Sequence, residues 1–124
     1  MCGACGRTTV HDPTLGHIRT MRQHLIVAQA VNAICGQFPG APRVTALPDG
    51  WLMSGATGST ALCDTVRELW TTIMDGASCR NINRLIAAQK AHLAAAVNTE
   101  LAAEVAYLGL ALAEAHAHRE GRPC

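Results

Sequence analysis

Residues 81–119, NINRLIAAQKAHLAAAVNTELAAEVAYLGLALAEAHAHR, decide the fold class. The run has no proline and a single glycine, Gly109, and it is rich in Ala, Leu, Gln and Glu, which lose little freedom on entering a helix. Ile82, Leu85, Ile86, Leu93, Val97, Leu101, Val105, Leu108 and Leu112 continue one apolar stripe along it at helical spacing. Unbroken, such a helix would extend about 55 Å at the usual rise per residue, longer than a chain of this size needs. Asn98-Thr99 offers a break, with Thr99 capping a second helix that opens at Glu100. The run is therefore one long helix or a hairpin of two. Its small side chains permit close approach of helix on helix, within the hairpin or against a second copy of the chain.

Working upstream, Thr65 followed three residues later by Glu68 matches a capping box, with Val66, Leu69, Trp70 and Ile73 behind it on one face. The spacing predicts a helix over 65–75 that stops at Gly76. Before it, Pro48-Asp49-Gly50 is a turn between Arg43–Leu47 and Trp51-Leu52-Met53, so 43–63 reads as a β-hairpin region. Trp51, beside that turn, is expected to be exposed and to serve as a docking anchor. Gly55-Ala56-Thr57-Gly58-Ser59-Thr60 is too glycine-rich for a regular element and lacks the lysine of a phosphate-binding loop, so it reads as a flexible turn. Further upstream, Ile18, Met21, Leu25, Ala28, Val31 and Cys35 draw the stripe of a helix over 14–36, with Thr14 as its cap and Gly36 as its stop. Residues 1–13 hold two close cysteines and two glycines without helical period, and read as a knuckle or strap. The expectation is one mainly α domain over 1–124, with a small β-hairpin and an N-terminal zinc-knuckle-like strap.

Composition limits the function. The 124 residues are 49% hydrophobic and 15% charged, enough for a core of their own. The formal charge of +1 gives no global pull toward nucleic acid or anionic membrane. No apolar run approaches the roughly 18 residues of a membrane span, and no secretory leader is visible, so a cytoplasmic protein is expected. With only two Trp, one Tyr and one Phe, the core must pack by aliphatic side chains, which suits helix on helix. Nine Arg stand against one Lys, and with the abundant Ala this is the bias of GC-rich coding, as in a high-GC bacterium or its phage, rather than a recognition signal.

Six cysteines are many for this length. In a reducing compartment they point to metal binding or burial rather than disulfides. Cys2-Gly3-Ala4-Cys5-Gly6 closes a tight turn in which the glycine after the second thiol lets backbone amides face the sulfurs. Over these five residues the chain resembles the zinc knuckle of zinc-ribbon proteins, usually C-P-x-C-G, with Gly3 in place of the proline and no second C-x-x-C to follow. The resemblance implies a ligand role for Cys2 and Cys5 alone. A closed site for Zn needs two more ligands, and two sources compete: Cys35 and Cys63, each at the edge of a predicted element, or His11 and His17 nearby. The four-thiolate set Cys2, Cys5, Cys35 and Cys63 is preferred, because thiolates hold structural zinc tightly. A buried apolar role accounts for Cys35 and Cys63 equally well taken singly.

Other candidates are weaker. His116 and His118 point about 200° apart on a helix and cannot share an ion there. His24 and His92 read as surface or boundary residues, and Glu100 with Glu104 as a solvated face. No nucleophile-base constellation, H-E-x-x-H or dinucleotide fingerprint occurs, so the chain is not expected to be an enzyme. The leading function is a non-catalytic zinc-binding adaptor or regulator that contacts another protein or forms a homodimer through the Ala-rich C-terminal arm, on the face of Leu101, Val105, Leu108 and Leu112. One alternative is a nucleic-acid-binding regulator using the knuckle and the Arg19, Arg22 and Gln23 face of the first helix, within a segment 1–43 of net charge +3. The other is a dithiol redox protein using Cys2 and Cys5.

Overall fold

The computed structural model describes residues 14–15, 20–36, 41–55, 58–76, 79–95 and 100–120. Among them, four helices and one antiparallel sheet run in the order α1 (Met21–Cys35), β1 (Arg43–Leu47), β2 (Gly50–Ser54), β3 (Thr60–Cys63), α2 (Val66–Asp75), α3 (Cys79–Ala94) and α4 (Glu100–Glu120). The protein is mainly helical with a small sheet. The strap 1–13 lies outside the described residues.

Helix α1 begins later than its apolar spacing predicts. Thr20, not Thr14, is the cap: its hydroxyl accepts from the Gln23 amide at 3.1 Å while the Gln23 carboxamide accepts from the Thr20 amide at 2.9 Å. This reciprocal box satisfies two amides that an open helix end would leave to water. The helix closes at Cys35 with Gly36 as expected. Its inward face is His24, Val27, Ala28, Val31, Ile34 and Cys35, rotated from the expected stripe so that Met21 and Leu25 remain 43% and 46% exposed.

The predicted hairpin is a three-stranded meander, β1-β2-β3. Ala46 pairs with Trp51, which pairs with Cys63, and Val44 pairs with Met53, which pairs with Ala61. Period-two alternation sends Val44, Trp51, Met53 and Cys63 to the core face and Arg43, Thr45 and Leu62 outward. The third strand forms because the glycine stretch turns tightly. Gly58 takes φ 89°, a left-handed backbone that glycine adopts without a side-chain clash, and the Gly55 amide donates to the Ser59 carbonyl at 2.7 Å. Helix α1 then seals the free edge of β1. The Asn32 carboxamide donates to the Val44 carbonyl and accepts from the Val44 amide, both at 2.8 Å, so one side chain completes the ladder where a further strand would stand.

Helix α2 matches its expected bounds. The Thr65 hydroxyl accepts from the Glu68 amide at 3.1 Å, and Glu68 Oε2 accepts from the Asp64 amide at 2.8 Å, one residue before the cap. The long C-terminal run is the hairpin of the two alternatives: α3 ends at Ala94 and α4 starts at Glu100 and packs back along it. Helix α4 touches α1, α2 and α3. It fits among them because its buried face is mostly small, Ala102, Val105, Ala106, Gly109 and Ala113. At Gly109 the Trp70 ring and the Gln89 amide press on the α4 backbone where any larger residue would place a Cβ.

Two expectations are corrected by this packing. Trp51 is fully buried, because its indole Nε1 donates to the His24 carbonyl at 2.9 Å and its ring lies 4.7 Å from the His24 imidazole. It is no anchor. The face of Leu101, Val105, Leu108 and Leu112 is turned inward: Val105 is fully buried, and the three leucines pack partly buried against the core. To solvent α4 shows Glu100, Glu104, Tyr107, Ala111 and Glu114, with Ala115, His118 and Arg119 toward its C-terminal end.

Candidate metal centre

Cys35 ends α1 and Cys63 ends β3, so each proposed ligand is held at the rim of a regular element. Both are free thiols within the hydrophobic core, 1% and 2% exposed respectively. Burial pushes the Cys35 thiol up from 9.0 to about 12, because the surroundings offer nothing to solvate a thiolate. Burial likewise raises Cys63. The Thr72 hydroxyl, 3.8 Å from its sulfur, acts in the opposite direction, and the charges of Glu68 and Asp64 raise it further.

Metal-free, these are protonated thiols at neutral pH. A zinc ion bound there would itself supply the charge that stabilises the thiolates, with release of the thiol protons. Cys2, Cys5, His11 and His17 lie outside the described residues. Among the described residues no group of three or more His, Cys, Asp or Glu side chains is placed to hold a metal. The two cysteines both belong to the one hydrophobic core.

Polar groups in the core explain themselves largely as fold supports. His24, expected at the surface or its boundary, is fully buried, and its Nδ1 stands 2.7 Å from the Leu47 carbonyl. A carbonyl only accepts, so Nδ1 carries the proton. His24 and Asn32 therefore tie α1 to two points of β1. Across the molecule, Trp70 Nε1 donates to the Val105 carbonyl at 3.0 Å, pinning α2 to α4. Gln89 is fully buried, and among the described residues neither its Oε1 nor its Nε2 has a hydrogen-bond partner. Nothing in the sequence distinguished Gln89 from the surface glutamines of an Ala-rich helix. The one available signal is its place among Ile82, Leu85 and Ala88 on the inward side of α3.

The surface bears on the alternatives. Of the proposed basic face on the first helix, Arg22 is exposed in the first turn, Gln23 is engaged in the capping box, and Arg19 lies outside the described residues. Among the described residues, the exposed large apolar side chains are Leu62 at 70%, Tyr107 at 62%, Leu25 and Met21. No helix among the described residues is long and apolar enough to cross a membrane. No family model, no curated protein and no solved structure matches the chain.

Proposed function

We propose that this protein is a small, non-catalytic, zinc-binding adaptor or regulator that acts through protein–protein contact. One observation carries the reading: the described side chains suited to nucleophilic or acid-base chemistry in the core, His24, Cys35 and Cys63, are withdrawn from solvent, whereas Leu62 and Tyr107 are presented to it. Apolar side chains standing outside a folded core are what a protein partner covers.

Zinc would serve the fold. A strap of this length cannot bury enough surface to order itself, and a metal supplies that free energy at the point of ligation. Bound by Cys2, Cys5, Cys35 and Cys63, one ion would join the strap to the end of α1 and to the corner between β3 and α2. The test is elemental mass spectrometry on protein purified without a His-tag. One zinc per chain is expected, lost on Cys2→Ser or Cys5→Ser and also on Cys35→Ser or Cys63→Ser. Loss on His11→Ala and His17→Ala instead would move the ligand set to the strap itself, and wild-type protein without zinc would overturn the metal reading.

A further inference from the structure

The two helices of the hairpin carry opposite charge on their outward faces. Helix α3 contains Arg80, Arg84 and Lys90, all exposed, and no carboxylate. Helix α4 exposes Glu100, Glu104 and Glu114, with Arg119 the only Lys or Arg, in its last turn. The spacing along the two is the same. Arg80, Arg84, Ala87 and Ala91 follow at intervals of four, three and four, and so do Glu100, Glu104, Tyr107 and Ala111. All eight side chains are exposed, each set lying opposite its helix's buried face. Side chains at these intervals share one helix face, so each set forms a continuous outward strip.

The charges are also unspent. Although α3 and α4 pack on each other, none of Arg80, Arg84, Lys90, Glu100, Glu104 and Glu114 forms an ion pair among the described residues. The reason is geometric: the charged seams face away from the contact between the helices. A surface with one basic half and one acidic half is complementary to itself under a two-fold rotation.

We propose that the hairpin pairs face to face with the hairpin of a second copy, α3 on α4 of the partner and α4 on α3 of the partner, forming a four-helix bundle. With the two-fold parallel to the helices, each intermolecular pair runs antiparallel. Arg80 and Arg84 then meet the end that bears Glu114, and Lys90 meets the end that bears Glu100 and Glu104. Ala87, Ala91 and Ala111 let the axes approach closely, and Tyr107 supplies the aromatic anchor that leaves water on pairing. This pairing rests on reading the protein as an interaction module and not on its zinc.

Sedimentation equilibrium of the full chain tests it, with charge reversal in two variants, Glu104→Lys with Glu114→Lys and Arg84→Glu with Lys90→Glu. The wild type is expected to dimerise, with a dissociation constant that rises at least about tenfold between about 0.05 and 0.5 M salt as the charges are screened. Each variant alone is expected to be a folded monomer, because like charges then meet along both seams. Mixed in equal amounts, the two should dimerise again, since each reversed seam finds its opposite, and Tyr107→Ala in both should abolish that recovery. Circular dichroism establishes that each variant is folded. A monomeric wild type at low salt, a variant that still dimerises alone, or a mixture that stays monomeric overturns the pairing. None of these results alters the zinc measurement, so the two proposals fail separately.

Discussion

Replacing Gly109 by alanine sets two opposing effects against each other. In a helix interior alanine is favoured over glycine by about 1 kcal/mol, so propensity alone predicts a more stable protein. Packing predicts the reverse. The new Cβ would stand 2.6 Å from Gln89 Nε2 and 2.7 Å from Trp70 Cζ2, where ordinary contact begins near 3.4 Å. The indole has no room to yield: Trp70 is fully buried and held by its 3.0 Å bond to the Val105 carbonyl, one turn before Gly109 on the same helix.

Overpacking of a well-filled core typically costs about 1–3 kcal/mol, and a clash against a fixed ring lies at the upper end. The net expectation is a loss of about 2 kcal/mol. Equilibrium urea unfolding followed by both circular dichroism and tryptophan fluorescence reads it, with unchanged slope and a lower midpoint. Adding Gln89→Ala should recover only part of the loss, because the amide contact is relieved and the ring contact remains. A Gly109→Ala protein as stable as wild type, or more so, would refute the close packing of α2, α3 and α4 at this point.

Two further outcomes follow from the same contacts. Asn32→Ala should cost about 2–3 kcal/mol, because both backbone groups of Val44 lose their partner at once; amide exchange should show lost protection at Val44 while Met53, inside the sheet, stays protected. In metal-free protein, stability should fall as pH rises from 9.0 toward about 12. The sign follows from the Cys35 thiol, which ionises readily in the unfolded chain but not in the core, so its contribution is intact below 9.0 and declines by at most about 1.4 kcal/mol per pH unit above it. Urea midpoints at several alkaline pH values for wild type and Cys35→Ala check this, and parallel curves for the two would refute it.

Where local chemistry was complete in a few residues, the chain was legible before folding. Thr65 with Glu68 set the start of α2, Gly36 the end of α1 and Pro48-Asp49-Gly50 the first turn of the sheet, and the long run divides between Ala94 and Glu100, with Asn98-Thr99 themselves outside the described residues. Helix α1 was misread by a rotation of its face. Its apolar residues fit two overlapping stripes, and the choice was made by His24 and Asn32, polar side chains that turn inward because β1 offers them carbonyls and an amide. Strand β3 was missed as a strand because Thr60–Cys63 is short and follows glycines; pairing with β2 makes it one. Cys35 and Cys63 lie at the element ends foreseen for them, and burial there is common to a core thiol and a structural ligand.

The helical class, the turn at Pro48-Asp49-Gly50 and the capped start of α2 were determined by the sequence itself, since each depends on interactions within one or two turns of chain. The tertiary structure alone decided which faces are inside. It buried Trp51, His24 and Gln89, used up the leucine face of α4, and left Tyr107 between glutamates on the outside. Those choices depend on what lies across the contact, a carbonyl for an indole or a glycine backbone for a ring. Such partners are distant in sequence, and periodicity along one helix carries no record of them.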